Sequence, residues 1–358
     1  MMAKSLIWIT LVSVVFGLVM LSSAGIIDAQ KKFGNSYYYF YHQLLQSVLP
    51  GLALLFIFFK INYKVWKKLA IPILFFALLL MTFVFLPQFG HGAKGATRWL
   101  ELFGFRFQPS EFLKMAMIIY LAAWFSGRDE RLKNWTYGMA PFFVVLAFVA
   151  ALLALQPDIG TLLIVSSISI GVYFAAGVEM KHFFTVIGVF LLIGIALVIF
   201  EPYRFNRLKT FMNPDIDPRG ISYQVNQSFI AIGSGGLLGV GFGKSSQKQG
   251  FLPEVVGDSI FAVIAEELGF IGAVATLLMF IALCFTLTRI AKNTRDKFGL
   301  LLVMGVNIWI CSQALLNIAA NCGIAPLTGV PLPFISYGGS AMMAILSGIG
   351  ISASVAKR

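Results

Sequence analysis

Apolar runs of about 20 residues recur along the whole chain, and this pattern constrains the fold more than any other feature. A helix of about 20 apolar residues crosses the hydrocarbon core of a bilayer. Ten candidate spans follow one another at 5–27, 43–61, 69–86, 109–126, 138–155, 158–176, 182–200, 259–288, 298–321 and 334–355. The sequence therefore predicts an all-α polytopic membrane protein with about ten transmembrane helices.

The composition agrees with a membrane location. The 358 residues are 59% hydrophobic and 12% charged, whereas soluble domains are about half apolar and a quarter charged. This excludes a soluble globular enzyme, a disordered chain and a collagen. The net charge of +12 would suggest nucleic acid in a soluble protein. In a membrane protein it is first a topology signal, and no nucleic-acid partner is expected.

Basic residues are dense in the short loops on one side of the predicted bundle. These loops are 62–68, 127–135 and 289–297, on the side that also holds both termini. The positive-inside rule places that side, with the N and C termini, in the cytoplasm. The opposite side has loop 87–108 and a large extracytoplasmic loop, 201–258, between helices seven and eight. The chain, 1–358, is predicted to be a single transmembrane domain with its chemistry at the outer face or inside the bundle.

Several predicted helices begin at this outer face with unusual polar residues. Glu111 and Lys114 open the fourth helix, Asp158 the sixth and Asp258 the eighth. Acids are common near the start of a helix, where they favour the helix dipole, and this partly explains why Glu111 and Asp158 occur there. An ammonium there is unfavourable with both the helix dipole and lipid. We interpret Glu111 and Lys114 as a pair at a functional site, with a purely structural pair as the alternative.

Basic loop residues accompany these helix starts, namely Arg98, Arg106, Lys244 and Lys248. Helix N-termini and basic side chains together bind phosphate well. The sequence thus predicts one electropositive bowl at the outer face, suited to an amphiphile with an anionic head such as a polyprenyl pyrophosphate. The alternative is that these charges meet lipid headgroups separately.

The long outer loop divides into three parts before its acidic end. Residues 201–221 are polar and predicted to be irregular, whereas 223–232, including Gln227, has helical spacing and predicts a short interfacial helix. The glycine-dense segment 233–243 lacks the glycine spacing of a P-loop. It favours a flexible hinge or a close backbone approach to a ligand.

Two carboxylates, Glu254 and Asp258, stand four residues apart at the entry to the eighth helix. If this segment is helical, they share a face. An acid beside apolar residues at a membrane surface has a pKa raised towards that of a general base. Deeper in the same helix, one of Glu266 and Glu267 must face the bundle interior.

Two further groups of side chains have a simple structural interpretation. Gln313, Asn317 and Asn321 repeat every four residues in the ninth helix, which predicts hydrogen bonds between helices. The three cysteines have no metal-site spacing and are predicted to be small core residues.

A series of motifs occurs in a fixed order along nearly the whole chain. They are GAKGATRW at 92–99, QPSEFLK at 108–114, QPDIGT at 156–161, the glycine-rich 231–243, FLPE at 251–254 with DSIFA at 258–262, EELG at 266–269 and the segment 331–340. This set resembles the SEDS family (shape, elongation, division and sporulation) of peptidoglycan polymerases. Gly257-Asp258-Ser259 departs from the family's common Thr-Asp-Phe, which leaves the acid but changes its surroundings.

The resemblance implies a glycosyltransferase that polymerises lipid II at the outer leaflet of the bacterial cytoplasmic membrane. A lipid-linked glycan would be the donor and the 4-hydroxyl of lipid II the acceptor, with inversion at the anomeric carbon and undecaprenyl pyrophosphate leaving. The essential acid of the family maps to Asp258, the expected general base. The expected substrate-binding residues are Glu111, Lys114, Arg98, Asp158, Lys244, Glu254, Gln227 and Ser336.

The resemblance also implies partners. A class B penicillin-binding protein would supply crosslinks, and other divisome or elongasome membrane proteins would join it. A divalent cation, Mg²⁺ or Mn²⁺, would be shared with the substrate pyrophosphate, because no protein-only metal cage is visible. No organic cofactor is expected.

Within the family, segments 244–252 and 334–337 resemble the division member, FtsW, more than the elongation member, RodA. An elongation-type polymerase is therefore one alternative. A lipid II flippase is another, weakened by the absence of a clear inverted repeat or of paired broken helices. A scaffold without chemistry does not explain the polar residues that converge on one face.

Overall fold

Helices dominate the computed structural model, which describes residues 2–88, 90–93, 96–102, 105–127, 140–177 and 202–358 with a few residues between 184 and 194. The helices are α1 (Met2–Ala24), α2 (Ile26–Phe33), α3 (Tyr38–Gln43), α4 (Leu49–Lys60), α5 (Lys64–Phe83), α6 (Pro109–Phe125), α7 (Ala140–Leu155), α8 (Ile159–Ala175), α9 (Pro202–Met212), α10 (Tyr223–Gly235), α11 (Ile260–Asn293), α12 (Lys297–Asn321) and α13 (Gly339–Lys357). A π-helical turn, Leu44–Val48, joins α3 to α4.

Nine of the ten predicted spans coincide with these helices. In the described part of the chain, six helical segments are long and apolar enough to cross a membrane, namely α1, α5, α11, α12, α13 and the continuous segment from α3 to α4. Helices α7 and α8 are shorter and apolar. The seventh predicted span, 182–200, lies largely outside the described residues. The tenth begins at Gly339 and not at 334, because the preceding segment with Pro331 and Pro333 forms turns.

The centre of the bundle is formed by α6, α12 and α13. Helix α12 packs against α6, α8, α11 and α13, and α13 packs against α1 and α4. Large apolar side chains of the outer helices point away from the bundle centre, and Trp8, Ile71 and Phe75 are 67%, 71% and 68% exposed. Large apolar side chains on the outside are what a bilayer solvates, so this surface fits the predicted membrane location.

A small antiparallel sheet lies between α5 and α6, where a loop was predicted. Its strands are β1 (Gly90–Ala93), β2 (Ala96–Leu102) and β3 (Phe105–Phe107), in that order. Glu101 faces Arg106 across β2 and β3, and their side chains are 2.6 Å apart. Residues 100–102 and 105–107 each alternate apolar and polar side chains, which is the strand period. The all-α fold class is confirmed for the bundle, and the sheet lies within the predicted outer loop 87–108.

The long loop is more ordered than its composition indicated. Residues 202–212, predicted to be irregular, form helix α9, for which Pro202 at the first position is a normal start. The predicted short helix is confirmed as α10.

Helix α11 is interrupted at Gly269, whose φ of 68° and ψ of −166° are not helical. The glycine-rich segment pairs with the broken backbone: Val240 donates to the Glu266 carbonyl at 2.9 Å and Phe270 to the Gly236 carbonyl at 2.9 Å. A Cβ on Gly239 would overlap the Glu267 carbonyl oxygen. The predicted close approach is therefore to a helix backbone and not to a ligand.

The cysteines differ from the prediction of small core residues. Cys284 of α11 and Cys311 of α12 form a disulfide, and Cys322 is free and exposed. Because Cys284 and Cys311 are 27 residues apart, only the packing of α11 on α12 brings them together.

Both chain ends lie at the same end of the bundle. Met2, Lys64, Arg295 and Arg358 line one cavity there. The starts of α6 and α8 and the turn before α11 lie together at the other end, which also carries the ordered part of the long loop. The orientation in the membrane stays a prediction from the basic loops.

Candidate functional site

A polar cavity of about 170 Å³ opens where α6 and α8 begin. Its charged lining consists of Arg98 from β2, Glu111 and Lys114 from α6, and Asp158 at the start of α8. Four of the predicted site residues therefore face one space. Both helices point their N-terminal ends, with free backbone N–H groups, at this region.

Glu111 and Lys114 form a buried ion pair. The Lys114 Nζ is 2.9 Å from Glu111 Oε1 and 2.8 Å from Oε2, with the two side chains 1% and 4% exposed. It also donates to Gln313 Oε1 of α12 at 3.0 Å and lies 5.1 Å from the Trp309 ring centroid. Lys114 therefore does not reach out to the membrane surface, and its charge lines the cavity.

Asp158 ties the two helix starts together. Its Oδ1 accepts the Thr161 backbone N–H at 3.2 Å and caps α8, as the sequence predicted. Its Oδ2 accepts from the Gln108 amide at 3.3 Å and from the Ser110 hydroxyl at 3.4 Å. The carboxylate holds the start of α6 against the start of α8, which fixes one wall of the cavity.

Arg98 reaches from the small sheet to the turn between α7 and α8. Its Nε donates to the Gln156 carbonyl at 3.2 Å, and its Nη2 donates to the Pro157 carbonyl. The sheet that the sequence did not predict is thus the element that brings a guanidinium to the cavity.

Asp258 lies at the edge of this cavity. Its Oδ2 is 3.9 Å from the position that a Cβ would take on Gly329, and Gly329 lines the cavity. Its Oδ1 accepts from the Gln224 amide of α10 at 3.2 Å. Asp258 therefore lies next to Gly329 in the wall of the cavity that Glu111 and Lys114 line.

The backbone around Asp258 is held by two separate elements, helix α12 and the segment that precedes α13. Asn317 and Asn321 of α12 each donate to the Asp258 carbonyl at 2.8 Å. The Ser336 hydroxyl donates to the Gly257 carbonyl at 2.7 Å, and the Tyr337 backbone N–H donates to the Val256 carbonyl at 2.8 Å. So many fixed contacts leave the Asp258 carboxyl little freedom to turn away.

The surroundings raise the pKa of Asp258 to about 6. Burial is the largest cause and the charge of Glu254 the second, while Arg207 and the hydrogen bond from Gln224 act in the opposite direction. A carboxylate with a pKa near 6 is mostly ionised at neutral pH and still basic enough to accept a proton.

The predicted single electropositive bowl is wrong in its extent. Lys244 is exposed on the loop, and Arg106 pairs with Glu101. Lys248 is buried and pairs with Glu267 at 2.7 Å. Of the four basic loop residues, only Arg98 lines the cavity, because the glycine-rich segment turns the lysines towards α11 or solvent.

Three other predicted site residues lie away from this cavity. Gln227 is a partly buried residue of α10, and Ser336 uses its hydroxyl to hold the turn before Asp258. Glu254 lines a separate cavity of about 510 Å³ with Asp28, Lys31 and other residues. These three residues therefore do not line the charged cavity.

Glu254 and Asp258 do not share a helical face. Glu254 has a φ of 52°, residues 254–258 form turns, and α11 begins only at Ile260. The two carboxylates were predicted to share a face only if one helix included both residues. The left-handed backbone at Glu254 prevents such a helix. Glu266 and Glu267 are both fully buried, where one was predicted to face inwards.

Gln224 is the residue that sequence reasoning missed. Its amide donates to Asp258 Oδ1 and, at 3.1 Å, to the Ser259 hydroxyl. The signal was available, since Gln224 lies one turn before Gln227 in the predicted helix. Of the amide repeat of α12, Gln313 makes the predicted bond between helices, since it accepts from Lys114 of α6. Asn317 and Asn321 instead donate to the Asp258 carbonyl in the turn before α11.

A comparison with protein families gives a match over residues 4–358 to the model described as "Cell cycle protein" of FtsW, RodA and SpoVE. A probable peptidoglycan glycosyltransferase FtsW of Trichlorobacter lovleyi is 38% identical over 336 residues, 94% of this chain and 88% of the relative. Stage V sporulation protein E of Bacillus subtilis is 36% identical over 356 residues, 98% and 96% of the two chains.

Solved structures show the same fold. A chain of a peptidoglycan synthase complex, studied for how it coordinates polymerization and crosslinking, superposes with a TM-score of 0.81 at 26% identity, covering 98% of this chain and 96% of that one. The rod shape determining protein RodA of Thermus thermophilus gives a TM-score of 0.72 at 27% identity, covering 98% and 95%. With its family match, its relatives and its fold in agreement, the chain belongs to the FtsW/RodA/SpoVE family of cell cycle proteins.

Proposed function

We propose that this protein is a peptidoglycan glycosyltransferase that polymerises lipid II into glycan strands at the outer face of the membrane. The observation that carries the proposal is the place of Asp258. A carboxyl with a pKa of about 6 stands at the edge of a buried cavity lined by Lys114 and Arg98. Glycosyl transfer from a pyrophosphate needs such a base beside such a cation-lined space.

The protein is a multi-pass protein of the cytoplasmic membrane, with six strongly apolar helices among its described residues. Its cavity lies at the end of the bundle that carries the long loop. Both substrates of the proposed reaction are lipid-linked, so their reacting groups would be held at headgroup height beside Asp258.

In the proposed reaction, Asp258 takes the proton from the 4-hydroxyl of the acceptor sugar. The oxygen attacks the anomeric carbon of the donor, the new glycosidic bond forms, and the bond to the pyrophosphate breaks. The electron pair leaves with undecaprenyl pyrophosphate, whose charge Lys114, Arg98 and the starts of α6 and α8 stabilise. A single displacement with one base inverts the anomeric centre.

Within the described ranges, the side chains do not form a metal cage of their own. No cluster of three or more His, Cys, Asp or Glu is found in the described part of the chain. Of the two cavity carboxylates, Glu111 is paired with Lys114 and Asp158 caps α8. Because both carboxylates already have partners, we propose that a Mg²⁺ or Mn²⁺ ion would be held mainly by the substrate pyrophosphate.

We place the protein in cell division, because relatives in several organisms carry the name FtsW. The proposed partner is a class B penicillin-binding protein, which would crosslink the new strands. A structural neighbour is part of a peptidoglycan synthase complex, and this supports such a pairing.

The decisive experiment compares purified wild-type protein, with its partner, and Asp258→Asn in polymerising lipid II. We expect Asp258→Asn to lose about 10²- to 10⁴-fold of the rate, the usual contribution of general-base catalysis, while thermal unfolding stays unchanged. Asp215→Asn, which removes an exposed acid of the same loop, should keep full activity. Normal polymer from Asp258→Asn would overturn the assignment. Exchange of lipid II between leaflets without polymer would indicate a flippase instead.

A further inference from the structure

A second cavity lies on the other side of Asp258 and has no part in the mechanism so far. It measures about 180 Å³ and is enclosed by α9, α10 and the segment that follows α12. Its lining includes Arg207, Thr210, Gln224, Phe229 and Ala325. It shares no lining residue with the charged cavity at the starts of α6 and α8.

Each oxygen of the Asp258 carboxylate lies next to a residue that lines one of the two cavities. Its Oδ1 accepts from Gln224, which lines the second cavity, and its Oδ2 lies beside Gly329, which lines the first. Arg207, also in the second cavity, acts on the charge of Asp258. The carboxylate therefore lies behind one lining residue of each cavity, Gln224 in the second and Gly329 in the first.

The lining of the second cavity suits a neutral polar ring. Phe211 and Phe229 provide apolar surface, and the amide of Gln224 provides a hydrogen-bonding group. The Thr210 hydroxyl is buried, with 4% of the residue exposed, and has no hydrogen-bond partner among the described residues. Buried polar groups normally have a partner, so this hydroxyl points to a ligand that supplies one.

The charge of the second cavity does not suit a pyrophosphate. Its one cation, Arg207, already donates to the Leu327 carbonyl at 2.7 Å and faces the Asp258 carboxylate. The first cavity has two cations, Arg98 and Lys114, and the N-termini of α6 and α8, while its carboxylates Glu111 and Asp158 are held by Lys114 and by the start of α8. The two cavities are of similar volume, about 180 and 170 Å³, so their linings and not their sizes distinguish them.

We propose that the second cavity is the acceptor subsite, which holds the non-reducing terminal sugar of the incoming lipid II. The proposal rests on the proposed function. It places the acceptor sugar in the second cavity and the donor pyrophosphate in the first. The 4-hydroxyl of the terminal sugar gives its proton to Asp258, and its oxygen bonds to the anomeric carbon of the donor. The donor's pyrophosphate leaves into the first cavity with the electron pair of the broken bond.

The test separates acceptor from donor with a soluble acceptor. The methyl glycoside of the lipid II disaccharide keeps the acceptor hydroxyl but has no pyrophosphate, so it cannot act as a donor. Transfer of labelled lipid-linked glycan to this compound is measured with wild-type protein and Thr210→Val. We expect Thr210→Val to raise the KM for the soluble acceptor about two- to tenfold, the effect of one hydrogen bond, with the KM for the donor unchanged.

Two further variants make the result decisive. Thr276→Val makes the same change at a buried threonine within α11 and should leave both KM values as in wild type. Ala325→Phe fills the second cavity and should abolish transfer to the soluble acceptor while labelled lipid-linked glycan still binds. Wild-type acceptor KM values in both Thr210→Val and Ala325→Phe would overturn the subsite, and so would an effect of Thr210→Val on the donor alone. Failure of wild-type protein to make any glycan would instead refute the proposed function.

Discussion

At the scale of single residues, Asp258 differs from an ordinary aspartate through its surroundings. Burial removes water that would stabilise the charged form, and the charge of Glu254 adds repulsion. Gln224 and the α12 asparagines then hold the group in place. Because these contacts come from separate parts of the chain, they act only in the folded protein.

The raised pKa predicts an acid limb in the pH profile. The basic form of Asp258 exists above its pKa, so the rate should rise through about pH 6 and level off above it. Glu254→Gln removes a like charge, lowers the pKa of Asp258 and should move this limb to lower pH. Asp28→Asn, an acid paired with Lys32, is the control. An unchanged limb in Glu254→Gln would contradict this electrostatic account.

The Glu111–Lys114 pair should be costly to break from one side. Lys114→Met leaves the buried Glu111 charge without its partner, so we expect a loss of about 3–5 kcal/mol in stability, measured as a lower Tm in detergent. The double variant Glu111→Gln with Lys114→Met should regain most of that stability and remain inactive, because the cation is gone. Lys32→Met breaks an exposed pair and should change the Tm little. Polymer formation by the double variant would remove Lys114 from the mechanism.

At the scale of elements, the interruption of α11 determines where Asp258 lies. The part from Phe270 to Asn293 is about 36 Å long at 1.5 Å per residue, enough to cross the hydrocarbon core. We therefore expect the part before Gly269 to stand beyond that core and to carry Asp258 at headgroup height. The glycine-rich segment fills the break, and Ser246 and Gln247 donate backbone N–H groups to Glu266 Oε1 at 2.8 and 3.3 Å.

Gly269→Ala should disrupt this arrangement. The backbone there has a φ of 68°, and a Cβ would overlap the backbone of Gly239. We expect a loss of at least about 1–3 kcal/mol, the usual strain of such a conformation, together with reduced polymerisation. Gly233→Ala in α10, where a Cβ would meet nothing within 4 Å, should leave the Tm equal or slightly higher. Equal Tm values for the two variants would show that the break is not required.

At the scale of the whole molecule, the proposed function requires the two cavities to face the outside of the cell. Asp215→Cys on the long loop and Asn62→Cys on the opposite end test this in a Cys322→Ser background. A membrane-impermeant maleimide added to intact spheroplasts should label Asp215→Cys and should label Asn62→Cys only after lysis. The reverse pattern would place the site in the cytosol, where the proposed reaction has no role.

Much of this site was visible in the sequence, and the reason differs from residue to residue. Glu111 and Lys114 lie one turn apart on one helix, so their pairing follows from helix geometry. Asp158 caps the helix that it precedes, which is also local. Gln224, Gln313 and Arg98 contact partners that are distant in sequence. A pattern with a period of two or 3.6 residues contains no information about such partners.

The sequence by itself determined the membrane-spanning architecture, because apolar length and helix capping are local properties that the bilayer and the backbone impose directly. It also identified the acids and the lysine at the helix starts. The tertiary structure alone decided which basic residues reach the cavity, how α11 breaks at Gly269, and that Asp258 stands between two cavities. These features depend on packing between distant segments, where the energy of each contact exists only once the other segments are in place.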